Sequence, residues 1–147
     1  MGEVVSAAPV SPELLAAGLI EPDYPLQAHL GYRMLDWTDG FSRFELPLQP
    51  YLSNRYGIPH GGIYGVMLDT VMGFSGSFTG DPLVKKTAMT LSMTVQFLSR
   101  PKGSTLFAEG RRIGGGASTF FAEGRIEDDT GTLIATSSGT FRIRSAS

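Results

Sequence analysis

Residues 54–69 read NRYGIPHGGIYGVMLD, and the fold turns on what this stretch begins. The histidine and two glycines open a run that is apolar nearly all round, IYGVMLDTVMGFSGSF over residues 63–78. Ile63, Met67, Thr70 and Phe74 share one helical face, while Val66, Leu68, Val71 and Met72 fill much of the rest. A helix with that pattern is buried among its neighbours. Gly65, Gly73 and Gly76 each cost up to about 1 kcal/mol relative to alanine in a helix, so they are expected where neighbouring backbone comes close. Between Arg55 and Asp81 the only formally charged residue is Asp69. Burying an unpaired carboxylate costs several kcal/mol, so Asp69 must be paired, hydrogen-bonded, protonated or open to a wet pocket. A structural acid satisfied by Thr70, a backbone amide or an arginine is one reading, and a catalytic acid is the other.

Upstream, Ser11-Pro12-Glu13 before Leu14 supplies a capping hydroxyl, a proline for the first turn and an early acid, with Gly18 as the stop. Residues 1–10 are small and mixed and are expected to be loosely ordered. Gly31 to Trp37 and Phe41 to Leu48 flank Thr38-Asp39-Gly40, a hairpin signal. Downstream, KTAMTLSMTVQFL from Lys86 to Leu98 alternates strictly. That places Met89, Leu91, Met93, Val95 and Phe97 on one face and Thr90 among the polar residues of the other. Ser104 to Ile113, Ser118 to Glu127 and Thr132 to Arg144 give three more strands, with Ser137-Ser138-Gly139 marking a bulge or close contact. The order is helix, hairpin, buried helix and a four-stranded meander. It predicts an α+β class, one antiparallel sheet packed on the helix, with residues 1–27 as an amino-terminal segment and 28–147 as the domain. The edges such a sheet leaves open predict pairing between subunits.

Composition narrows the function. The 147 residues carry 12 Lys+Arg against 14 Asp+Glu, a formal net charge of −2, and no cysteine. No basic stripe points to nucleic acid. Thiolate chemistry and cysteine-ligated zinc are excluded, and two histidines far apart make no metal site. No apolar run reaches the ~18 residues of a membrane span. The start MGEVVSAAPV has no basic n-region, so a cytoplasmic protein is expected, and the Met1-Gly2 with Ser6 match to a myristoylation signal is a short pattern. Ser75-Gly76-Ser77 lacks the strand-turn-helix context of a nucleophile elbow, and Gly114-Gly115-Gly116 lacks a P-loop lysine.

His60 alone of the two histidines sits at a glycine-rich helix start, where free N–H groups at Gly61 and Gly62 can polarise a carbonyl. The other reading is a capped helix whose glycines serve packing. Asp69 follows His60 by nine residues, roughly 13 Å along a helix. It cannot serve a carbonyl held at Gly61 within one chain. Two antiparallel helices in a symmetric dimer would bring the carboxylate of one beside the amino terminus of the other.

Asn54, Gly57, His60-Gly61-Gly62, Leu68 and Asp69, with TLSMTVQFLSRP downstream, resemble hotdog-fold acyl-CoA thioesterases of the phenylacetate-pathway and 4-hydroxybenzoyl-CoA type over about residues 28 to 144. The resemblance implies a hotdog fold with a sheet wrapped around the long helix, homodimers or dimers of dimers, and active sites at the dimer interface. By position, Asp69 would be nucleophile or general base and Asn54 would position the attacking group. The amide of Gly61 or Gly62 would polarise the thioester carbonyl from the opposite subunit with support from His60, and Thr90 would hold the hydrolytic water. The substrate would be an acyl-CoA, with coenzyme A as part of it and no other cofactor. Arg100, Lys102, Arg111, Arg112 and the Gly115-Gly116 turn are candidates for its phosphates and pantetheine arm. Met67, Val71, Met72 and Phe74 are candidates for the acyl pocket. A non-catalytic acyl-CoA or lipid-binding hotdog module is the alternative, and a hotdog hydratase, which uses a different Asp/His spacing, is third.

Overall fold

The structure is a computed structural model that describes residues 8–145. The myristoylation-like pattern and the reading of that terminus as no signal segment lie outside the described residues. Along the chain run α1 (Pro12–Ala16), α2 (Pro25–Leu30), β1 (Arg33–Thr38), β2 (Phe41–Pro47), a 3-10 turn (Pro50–Leu52) and α3 (Gly61–Ser75). Four strands follow: β3 (Lys86–Phe97), β4 (Thr105–Gly115), β5 (Thr119–Asp128) and β6 (Leu133–Ser145). α1 forms as its residues dictate: Ser11 Oγ accepts from the Leu14 N–H, Pro12 opens the first turn, and Gly18 takes φ 67° beyond the end. α2 has no counterpart among the expected elements. Its N-cap Tyr24 gives no side-chain bond, so only Pro25 and the left-handed Gly31 mark it.

The six strands make one antiparallel sheet in the order β1-β2-β4-β5-β6-β3, and every strand touches α3. The expected meander therefore covers β4, β5 and β6 but not β3. β2 already occupies the other side of β4, from Phe41 opposite Arg111 to Pro47 opposite Thr105. β3 crosses to the free side of β6 and becomes an edge strand.

α3 turns Met67, Leu68, Val71 and Met72, all at 0% exposure, into the sheet, where each contributes about 2 kcal/mol by burial. The closest backbone approach comes from the sheet rather than from Gly65 or Gly73. A Cβ at Gly110 in β4 would stand 2.1 Å from the Val71 carbonyl oxygen, whereas at Gly65 and Gly73 the nearest atoms would be 4.0 and 3.8 Å away. Gly76 is tight against a side chain rather than backbone, since a Cβ there would meet the Phe120 ring at 2.3 Å.

β3 departs from its sequence pattern midway. Thr90 lies opposite Phe141 and Ser92 opposite Thr140, which leaves Leu91 as the extra residue of a bulge. One inserted residue re-aims the side chains before it. Ala88 and Thr90 therefore join Met93 and Val95 on the α3 side, while Met89 and Leu91 are 46% and 58% exposed. The single apolar face of strict alternation does not form.

Residues 8–10 are not loose either. Val10 packs on the core, and the Ala8 N–H donates to the Glu45 carboxylate at 3.0 Å, which also accepts from Arg33 Nε at 2.6 Å. That pairing explains why Glu45, at an outward strand position, is 1% exposed.

Asp128 ties two turns together. Its carboxylate accepts from the N–H groups of Lys102, Gly103, Thr130 and Thr132 and from the Thr130 hydroxyl. Burial works against the charge, but the bonds from Thr130, Gly103, Lys102 and Thr132 outweigh it and hold the carboxyl well below the ordinary carboxylate range. Because the folded value lies below the unfolded one of 3.8, this stabilisation is complete above about pH 4 and drains away as the pH falls below it. Asp128→Asn is expected to lower the melting temperature at pH 7 by about 5–10 °C and to flatten the loss of stability between about pH 4 and 2. A thermal melt series across that range checks it, and unchanged acid sensitivity in the variant would count against the assignment.

Candidate active site

Asp69 lies with Gly62, Val66 and Gly73 along a stripe of α3 that the chain leaves only half covered. Thr90 Oγ1 donates to Asp69 Oδ1 at 2.5 Å, a short charge-assisted bond that exists because the Leu91 bulge turns Thr90 toward the helix. Thr70 does not satisfy the carboxylate: its hydroxyl donates to the Val66 carbonyl at 2.7 Å. Nor does an arginine, and Asp69 Oδ2 has no hydrogen-bond partner among the described residues.

A cavity of about 660 Å³ opens here, with Asp69, Thr70 and Thr90 in its wall. Leu19, Trp37, Phe74 and Phe141 give it an apolar side, fixed in part by Trp37 Nε1 donating to the Phe74 carbonyl at 2.8 Å. Two irregular segments, around residues 18–22 and 79–85, also line it. Lys85 Nζ meets Glu21 Oε1 at 3.3 Å between them. Sequence reading gives neither segment a site role, because neither carries a motif or a period.

At the other end of α3, His60 is the N-cap. Its Nδ1 accepts from the Gly62 N–H at 2.8 Å, so a neutral His60 carries its proton on Nε2. The Gly62 amide is thereby occupied, whereas the Gly61 N–H has no partner among the described residues. Asn54 Oδ1 accepts from the N–H groups of Tyr56 at 2.8 Å and Ile58 at 3.4 Å, shaping the loop that delivers His60. Its side-chain amide nitrogen makes no bond among the described residues. Asp69 lies eight residues beyond Gly61, about 12 Å along the axis. Asp69 with Thr90, and Asn54 with His60 and Gly61, thus form two separate groups in one chain.

The expected coenzyme-binding residues do not form one patch. Arg100 and Lys102 are exposed in the β3–β4 connection, and the Lys102 N–H is tied to Asp128 at the end of β5. Arg112 and the Gly115-Gly116 turn lie at the end of β4, beside the start of β5, where Gly115 pairs with Phe120. There Arg112 Nη2 donates to the Gly116 carbonyl at 3.3 Å, and Gly115, at φ 127°, has Thr119 O 2.4 Å from where a Cβ would be. Arg111 stands over the Phe41 ring at 4.7 Å. Met72 is a correction: it is fully buried with Sδ accepting from Ser137 at 3.3 Å. With Met67 and Val71 it faces the sheet, so of the four expected pocket residues only Phe74 lines the cavity. Among the described residues no three His, Cys, Asp or Glu side chains gather as a metal-binding set, and no helix is long and apolar enough to cross a membrane.

Known proteins share this fold. A Halobacterium salinarum protein bearing an inferred esterase name is 29% identical over 140 residues, spanning 87% of this chain and 92% of that protein. A thioesterase of Haemophilus influenzae superposes with a TM-score of 0.72 at 17% identity, covering 86% of this chain and 95% of the other. A Streptococcus mutans protein bound to acetyl-CoA superposes at 0.67 with 21% identity, covering 78% and 89%. At these identities the structural likeness speaks for the fold, a hotdog in which the sheet wraps one long helix. The Thioesterase superfamily model matches residues 56–135, a span that runs from the loop before His60 through α3 to the start of β6. More than half of the chain falls within it, so the protein belongs to the thioesterase superfamily and is a thioester hydrolase.

Proposed function

We propose that the protein hydrolyses the thioester of an acyl- or aroyl-coenzyme A to the free acid and coenzyme A. Asp69 acts as nucleophile or general base, and the Gly61 amide of a second copy polarises the carbonyl. The observation that carries this reading is a half-buried carboxylate whose one hydrogen-bond partner is a neutral hydroxyl, set in the wall of a cavity with room for an acyl group. Attack of Asp69 on the thioester carbon would expel the thiolate and leave a mixed anhydride for water to cleave; deprotonating a water would deliver hydroxide directly. In the first route coenzyme A leaves as the thiolate and is protonated from solvent before water cleaves the anhydride to the two carboxyl groups; in the second the proton that Asp69 takes from water can pass to the departing sulfur.

A second copy is invoked because Gly61 and Asp69 of one chain lie too far apart to act on one carbonyl. Two features favour such pairing: β3 is an unpaired edge twelve residues long, and the exposed Met89 and Leu91 lie along it. Coenzyme A arrives with the substrate, in keeping with the acetyl-CoA held by the Streptococcus relative.

The reading is tested by thiol release over short, long and aromatic acyl-CoA substrates. Turnover of at least one class is expected; tight binding without turnover throughout would favour the non-catalytic module. Thr90→Val removes the hydroxyl but keeps the shape, and kcat is expected to fall about 10- to 100-fold with the melting temperature nearly unchanged. Steady-state kinetics and a melt of the same variant check this.

A further inference from the structure

The turn that delivers His60 and Gly61 to the head of α3 carries a cation with no task in thioester cleavage. The Asn54 N–H donates to the Ile58 carbonyl at 2.7 Å and the Gly57 N–H to the Asn54 carbonyl at 3.1 Å, with Gly57 at φ 78°. Below this closed turn Ser53 bridges Pro59, and the His60 N–H donates to the Leu52 carbonyl at 2.9 Å. Arg55 and Tyr56 therefore stand at a fixed tip, and the chain from Ile58 to Gly61 spans at most on the order of 10 Å. Both side chains are exposed, Tyr56 at 71%. They are nonetheless ordered against each other. The Arg55 guanidinium lies 5.1 Å from the centre of the Tyr56 ring, and its Nη2 donates to the Tyr56 hydroxyl at 2.9 Å. No carboxylate comes within ion-pair distance of Arg55 among the described residues.

A guanidinium stacked and hydrogen-bonded in this way has given up rotamer freedom before any ligand arrives. Tyr56 takes one of its N–H groups, and the rest form a flat fork that matches the oxygens of a phosphate in parallel bonds. A substrate of the class proposed above brings that anion. Coenzyme A carries its phosphates at the far end of the pantetheine arm, so a thioester whose carbonyl rests on the Gly61 amide extends them over the surface. The cavity is no place for them: Glu21, Asp69 and Asp81 face two lysines in its wall, and one of those, Lys85, is paired with Glu21. Of the other expected cations, Arg111 has Glu109 Oε2 at 4.0 Å and Arg112 donates to the Gly116 carbonyl. Arg55 is the cation that the chain itself ties to the Gly61 amide.

We propose that Arg55, held by Tyr56, anchors a phosphate group of the coenzyme A portion of the substrate on the same copy that offers its Gly61 amide to the carbonyl. This deepens the acyl-CoA reading and rests on it for the identity of the ligand. Arg55 is a binding residue and Tyr56 a positioning residue; neither takes part in bond cleavage.

Calorimetric titration of the full chain with coenzyme A, dephospho-coenzyme A and pantetheine, which share the arm and differ in phosphates, tests this. Arg55→Gln is expected to weaken coenzyme A binding about 10- to 100-fold and to leave pantetheine within about twofold of native. The same variant should raise KM for an acyl-coenzyme A by that factor with kcat nearly unchanged, and hydrolyse the matching acyl-pantetheine as the native protein does. Tyr56→Phe keeps the stacked ring but drops the hydroxyl, so it should weaken coenzyme A a few-fold and pantetheine not at all. Added salt should weaken coenzyme A binding more steeply in the native protein than in Arg55→Gln. A penalty that persists with dephospho-coenzyme A assigns the contact to the pyrophosphate, and one that vanishes assigns it to the 3′-phosphate. The proposal is overturned by equal weakening of coenzyme A and pantetheine, by native coenzyme A affinity in Arg55→Gln, or by a native protein that binds no coenzyme A. Arg55-dependent binding of coenzyme A without turnover of any acyl-CoA would instead overturn the hydrolytic reading and leave this one standing.

Discussion

Asp69→Asn is expected to lower kcat by about a thousandfold while the protein keeps its fold. The amide has the size of the carboxylate and still offers Oδ1 to the Thr90 hydroxyl, the one hydrogen bond Asp69 accepts. What disappears is the negative charge and the basicity that attack or proton removal requires, a contribution of about 10²–10⁴ in rate for a positioned acid or base. The loss should appear equally in kcat and kcat/KM if the group acts, as proposed, in the transition state rather than in binding. Stability should change little, since no ion pair to Asp69 is broken. Kinetics on the best acyl-CoA together with a thermal melt decide the matter: near-native turnover in a folded variant would remove Asp69 from the chemistry.

Gly61→Pro is the second large effect, and it isolates a single N–H group. Loss of one donor to a developing oxyanion costs about 10²–10³ in kcat. Local geometry permits the change. Gly61 is the first residue of α3, where proline is favoured because that N–H bonds to nothing in the helix. His60, at φ −62° and ψ 137°, already has the extended backbone that a following proline demands. The added Cβ would meet only the Phe97 ring, at 3.2 Å, and that ring is 61% exposed and free to shift. Gly61→Ala brings the same Cβ but retains the N–H, so it should cost only a few-fold. Comparable losses in both variants would assign the effect to bulk rather than to the amide.

Local chemistry made most of the elements legible. The Ser11-Pro12 start, the positive-φ Gly40 of the hairpin and the all-round apolarity of α3 each act within a few residues, and the six strands lie within a few residues of where alternation and turns put them. What escaped is non-local. β3 passes over β4 to pair with β6 because β2 fills the intervening edge, and no property of residues 86–97 encodes that. The Leu91 bulge is hidden because its extra residue is apolar where alternation wants an apolar one; it shows only in the register against Phe141 and Thr140. Gly110 reads as an ordinary strand glycine until the Val71 carbonyl is found against it. Within the site, the isolation of Asp69 and the capping role of His60 are visible in one stretch of chain. The meeting of Asp69 with Thr90 across twenty-one residues is visible only through family resemblance, and the cavity wall from Leu19 to Tyr24 is invisible without coordinates.

The proposed site is divided between two copies of the chain, and mixing two inactive variants tests that most directly. Asp69→Asn and Gly61→Pro, differently tagged and coexpressed in equal amounts, are expected to form mixed dimers in which one of the two proposed sites has native Asp69 facing native Gly61. Random pairing restores about a quarter of the sites, so the mixture should recover about a quarter of native kcat while each variant alone stays inactive. Mixed dimers, proved by the two tags, that remain as inactive as their parents would contradict the shared site.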